Sequence, residues 1–178
     1  MQKYKESAGG ILMPEHKLIA SGSWLGQIVR DGKIIDEWED HNIVVNEGLN
    51  SLLGVYFNAA TQITQWYCAP FEGNYTPVST VTAATITSAS TECTAYDEAT
   101  RPAYNEAAPA SQSITNSASK ATFTFNATKT IYGAFLISNN TKSGTTGTLF
   151  SAARFGTSKN VVAADQLLLT YTFTAASA

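Results

Sequence analysis

The 178-residue chain reads as a mainly β protein. It is predicted to be an antiparallel β-sandwich, jelly-roll-like, with one short helix and an extended N-terminal arm. Three observations predict this. Leu167, Leu169, Tyr171 and Phe173 share one parity, and Leu168, Thr170, Thr172 and Thr174 the other, which is the period of a strand. Asp31-Gly32 separates two apolar runs and suits a two-residue hairpin turn, because both positions tolerate positive φ. Several further short strand-like segments are divided by turn residues, as in a sandwich or barrel.

Residues 1–16 read as the arm. They mix charge with Gly9-Gly10 and Pro14 and keep no period. Ile11, Leu12 and Met13 form an apolar plug inside it. In a free monomer the plug would pack on its own domain; in an assembly it could dock on a neighbour. Residues 17–178 form the sandwich domain. Within it, residues 17–40 form a hairpin, with Gly22 and Gly26 flattening or bulging the first strand.

The helix is expected near residues 46–57. Asn46 stands where an N-cap would. Glu47 puts negative charge in the first turn. Leu49, Leu52, Leu53 and Tyr56 fall on one helical face. Gly48 and Gly54 each cost about 1 kcal/mol against alanine, so the helix needs tertiary packing.

Residues 63–71 read as an aromatic, β-branched strand. Residues 78–120 are a long polar tract, and a structureless loop of that length is uncommon in a compact domain. Short strands are expected near 91–96 and 112–115, with an exposed loop around 98–110. Phe123 and Phe125 alternate with threonines, and residues 131–137 form a nearly continuous apolar run, as in a strand buried on both faces. Residues 138–148 are a loop, and two final strands follow, from Leu149 and from Leu167.

Composition narrows the function. Ala 25, Thr 23 and Ser 16 outweigh the charged residues, which make up 14% of the chain, so the polar surface is largely hydroxyl and amide. The net charge is −3 and the pI about 5.3, without the basic footprint that nucleic-acid binding calls for. No apolar run reaches the roughly 18–20 residues of a membrane helix. The first ten residues lack the apolar region of a secretory signal, so Asn-x-Ser/Thr matches at Asn74, Asn126 and Asn139 are read as chance. Cys68 and Cys93 form one bridge or stay buried thiols; nothing marks an oxidising compartment, which favours thiols.

Catalytic constellations are scarce. Phosphate-loop, zinc-protease and nucleophile-elbow patterns are absent from the sequence. Asp36, Glu37, Glu39, Asp40 and His41 are the one dense ionisable cluster, but strand alternation splits them between two faces. A solvated strand end is the plain reading, beside a metal or acid–base site and an inter-subunit ion pair. Trp24, Trp38 and Trp66 lie in apolar strand patterns and read as core rather than as a sugar platform. Arg101 and Arg154 are isolated charges, read as surface residues or as inter-subunit anchors. No catalytic residue, cofactor or metal site is assigned.

The run Asn42-Ile43-Val44-Val45-Asn46-Glu47-Gly48-Leu49-Asn50 resembles an "N-[LI]-V-x-N-x-G-L-N" opening found in a group of tailed-bacteriophage virion proteins. Glu92, Tyr96 and Arg101 resemble that group's "E-x-x-x-Y-x-x-x-x-R" segment. The strand at 131–136 and the last two strands match in order. The resemblance spans roughly residues 17–175 and implies a non-enzymatic structural protein of the phage particle. It points to a capsid decoration or cement protein in the virion, with the major capsid protein and copies of itself, as a trimer, for partners. Neither nucleic acid nor membrane is a partner. A tail or adaptor component, with a host-surface glycan-binding role, is the alternative. In the decoration reading Ile11, Leu12, Met13, Arg101 and Arg154 are the candidate inter-subunit contacts.

Overall fold

The computed structural model describes residues 4–6, 12–14 and 18–177, with side chains from Leu18 onward. Two short strands, β1 (Tyr4–Glu6) and β2 (Leu12–Pro14), pair with each other in a separate two-stranded sheet. The body begins with the predicted hairpin, β3 (Leu18–Arg30) and β4 (Lys33–His41). Asp31 and Gly32 both take positive φ, 50° and 72°, as the two-residue turn requires. Next come β5 (Ile43–Val44), α1 (Asn46–Phe57) and β6 (Trp66–Phe71). They are followed by α2 (Ala83–Ala89), β7 (Ala103–Tyr104), β8 (Ser113–Thr115) and β9 (Ala121–Thr124). The long strands β10 (Lys129–Ile137), β11 (Leu149–Val161) and β12 (Gln166–Ser177) complete the chain.

The strands form an antiparallel sandwich. One sheet runs β5-β11-β10-β6-β7 and the other β4-β3-β12-β8, with β9 pairing β12 beyond the end of β8. The threonine-alternating β12 is central to its sheet. It pairs with β3 over its whole length and with β8 and β9 on its other edge. Its parity holds: Leu167, Leu169 and Tyr171 are buried between the sheets.

The apolar run in β10 is buried on both faces, as expected. Ile131, Ala134 and Leu136 join the core between the sheets. Phe135 and Ile137 join a second core outside, with Phe71, Val81 and Ile86 beneath α2. A register shift between Ile131 and Gly133 carries the inward parity from odd to even positions.

Three expectations need correction. A second helix, α2, lies inside the polar tract. Its sequence of alanines, threonines and serines has weak helical preference, and tertiary packing of Ala83 and Ile86 overrides it. No strand forms at 91–96; Glu92 and Tyr96 make single bridges, to Phe71 and Phe125. The loop around 98–110 is exposed only in part, since Arg101 and Tyr104 are buried.

Candidate functional site

The acidic cluster on β4 is divided by alternation, and much of it is engaged within the chain. Asp36 pairs with Lys159 Nζ at 3.0 Å, and the Asp40 carboxylate accepts from the Gly156 amide at 3.1 Å. The Lys159 ammonium also lies 4.3 Å from the centre of the Trp38 ring. These contacts tie β4 to β11 where no strand pairing joins the two sheets. On the other face Glu37 accepts from Gln27, whose Oε1 accepts from Lys120 at 2.6 Å. Among the described residues no three His, Cys, Asp or Glu side chains are grouped to hold a metal ion.

Arg101 corrects the sequence reading. It is 1% exposed, and its guanidinium grips Glu92 with two bonds of 2.9 and 2.6 Å. It also donates to the carbonyls of Asn139 and Gly144 at 2.8 and 3.1 Å. Arg101 therefore fastens the 92–101 segment to the 139–144 loop inside the chain and is not the solvated surface charge that the sequence suggests. Its isolation in the sequence hid this, because two of its acceptors are carbonyls about forty residues away. Arg154 is exposed on β11 and donates to Asn74 Oδ1 at 2.9 Å. Ile11 lies outside the described residues, and Leu12 and Met13 are described only as backbone of β2.

Both cysteines are buried free thiols. Burial pushes the Cys68 and Cys93 thiols up, and does the same to the phenols of Tyr96, Tyr104 and Tyr171. These groups stay neutral near pH 7 and none is an activated nucleophile. Trp24 is fully buried, as predicted, whereas Trp38 and Trp66 are half-buried. Trp38 lies over Gly26, where a Cβ would come within 2.3 Å of its ring.

The surface that stands out surrounds α1. The helix is seated by its first turn, although Asn46 is not its cap. Val45 precedes the helix without a side-chain cap, and the Asn46 amide donates to the Ser79 carbonyl. Glu47 reaches away from its own helix and accepts from the amides of Ala83 and Leu149, each at 2.8 Å. Its charge thus sits at the start of α2. Gly48 lies flush on β11; a Cβ there would fall 2.5 Å from the Phe150 carbonyl oxygen.

This seating decides where the apolar face of α1 goes. Leu49 and Leu52 are half-buried, while Leu53, Tyr56 and Phe57 are 50, 78 and 83% exposed. The face that the periodicity marks for the core lies instead along open clefts. One, of about 530 Å³, runs between α1 and the ends of β3 and β12, lined by Leu18, Leu49, Leu52, Leu53, Phe173 and Ala175 among others. A second, of about 440 Å³, continues past Leu52 and Tyr56 to Pro109 and Ile114. Among the described residues no charged side chain lines either one. Leu18, where β3 begins, is 73% exposed and lines the first. Contiguous exposed apolar surface of this kind marks interaction sites. Periodicity located the apolar face, but no sequence signal tells whether a face is covered from within the chain.

No helix among the described residues is long and apolar enough to cross a membrane. Compared with protein-family models and with curated proteins, the chain matches none.

Proposed function

We propose that this protein is a non-enzymatic structural component of a tailed-bacteriophage particle, a capsid decoration or cement protein that bridges shell subunits. The observation that carries the reading is the apolar surface around α1, exposed at the end of the sandwich where β3 begins and, among the described residues, lined by no charged side chain. A low-charge, threonine-rich β surface suits large repeated contacts, because few charges would have to be desolvated. Many weak contacts repeated over a shell give strength without high affinity at any one of them. The ordered sequence resemblance supplies the particle, and with it the major capsid protein and further copies of this chain as partners.

The test is co-sedimentation of the purified protein with capsids emptied of DNA and stripped of tails. Saturable binding at hundreds of copies per shell is the expected result. Binding of a few copies, or none, overturns the capsid assignment. A tail or adaptor component is the second reading. Tyr56 and Phe57 favour it, since two adjacent exposed rings are the kind of surface on which sugars stack. Binding to host-surface glycan that is lost in Tyr56→Ala/Phe57→Ala would establish it.

A further inference from the structure

We propose that an aromatic pocket between the two sheets is a binding site for a small organic cation, the alkylated ammonium head of a ligand. The pocket, of about 180 Å³, lies at the β7 and β8 edges of the sandwich. Trp66 on β6, Tyr104 on β7 and Phe150 on β11 line it from one sheet, and Tyr171 and Phe173 on β12 line it from the other. The rings meet at steep angles. Trp66 and Phe150 are 5.5 Å apart at 64°, Phe150 and Phe173 5.2 Å apart at 82°, and Tyr104 and Tyr171 5.9 Å apart at 64°. Rings so arranged adjoin as walls instead of stacking on one another. Gln65 braces one corner by donating to the carbonyls of both Trp66 and Tyr104 at 3.0 Å.

The charge of the lining selects the ligand. Glu106, two residues past Tyr104 and exposed, is the one charged side chain lining the pocket among the described residues, and it makes no ion pair with any of them. An anion would meet that carboxylate with no counter-charge beside it. A cation is drawn by the carboxylate and by the aromatic rings, whose quadrupoles attract positive charge most strongly where water is displaced. An alkylated ammonium carries its charge without N–H donors, which aromatic walls would leave without acceptors. The size agrees: an engineered protein cavity of about 150 Å³ accepts benzene, so this one admits a trimethylammonium head. The inference concerns the isolated chain and holds or fails independently of the virion reading.

Titration of the isotope-labelled full-length protein with choline, followed by NMR, tests it. The Trp66 indole N–H is the reporter, assigned by its loss in Trp66→Phe, and the Trp38 indole, outside the pocket, is the internal control. A saturable shift of Trp66 with a Kd on the order of 1–10 mM is expected, with Trp38 unmoved. The uncharged carbon isostere of choline, in which a tert-butyl group replaces the trimethylammonium, should bind at least about fivefold more weakly. Glu106→Gln changes an exposed side chain and leaves the walls in place. It should weaken choline about two- to fivefold and leave the isostere unaffected. Equal binding of choline and the isostere would make the pocket merely apolar and overturn the proposal. An unmoved Trp66 indole, or unchanged choline affinity in Glu106→Gln, would overturn it as well. Phosphatidylcholine vesicles distinguish the sources of the head. Choline binding by protein that stays in solution supports a free solute, and pelleting with the vesicles supports a lipid headgroup.

Discussion

The buried Arg101–Glu92 pair shows how much one side chain can organise. Both side chains are at most 1% exposed, so neither charge is shared with water. The Glu92 carboxylate also accepts from the Ser143 amide, at 3.0 Å. Removing one partner strands the other charge, which typically costs about 3–5 kcal/mol. We expect Arg101→Met to destabilise the protein by that amount in urea unfolding, and Arg101→Met/Glu92→Met to recover much of the loss. A double variant no more stable than the single one would show that the carbonyl contacts, not the charge pair, dominate. Asp165 makes a different residue-scale case. It accepts from the Val162 amide and pairs with the partly exposed Arg30 at 2.7 Å. The hydrogen bond from Arg30 holds its carboxyl below the usual range. The ionised form is therefore favoured by folding. That stability is complete above the ordinary carboxylate pKa of about 4 and is lost as pH falls through the lower folded value. Asp165→Asn should lower the urea midpoint at pH 7 and narrow its drop between pH 7 and pH 3. An equally steep acid drop in the variant would remove Asp165 from the account.

Elements were legible where local pattern and tertiary contact agree. The β3–β4 turn and the alternation of β12 follow from residue types alone. The helix α1 was legible in extent but not in orientation. Its seating depends on Gly48 meeting the backbone of Phe150, a contact across about a hundred residues of sequence. Glycine there looked like a weakness in the helix, whereas it is the residue that lets the helix touch the sheet. Gly48→Ala should accordingly destabilise the protein by about 1–3 kcal/mol, the range for overpacking, despite the gain in helix propensity. Thermal unfolding decides it, and a stabilised variant would show that the contact relaxes without cost. The helix α2 was invisible because threonine and alanine carry no helical period and Glu47, which accepts at its start, lies 36 residues away. Both quoted motifs turn out to hold fasteners. Asn42 donates to the Tyr171 hydroxyl, Glu47 joins α2 to β11, and Glu92 and Arg101 pair in the interior. That explains why neither motif displayed a chemistry.

At the scale of the whole molecule the sandwich was readable and its exposed apolar surface was not, because exposure of an apolar face is a property of the assembled chain. The body from β3 onward contains both sheets and both cores, with β3 paired along β12 from its first residue, Leu18. Deleting residues 1–16 should therefore leave a cooperatively folding domain. The same deletion removes the plug and every contact the arm makes beyond the body. If the protein cements a shell, each copy then keeps its body contacts and loses a tethered second one. Loss of a tethered contact commonly weakens binding by about 10²–10⁴-fold without disturbing the remaining interface. We expect the truncated protein to keep a single sharp thermal transition and to require at least about a hundredfold higher concentration to coat shells in sedimentation. Retention of full coating would place the binding energy in the exposed α1 face alone, and Leu53→Asp or Phe57→Asp would then be the substitutions that abolish it.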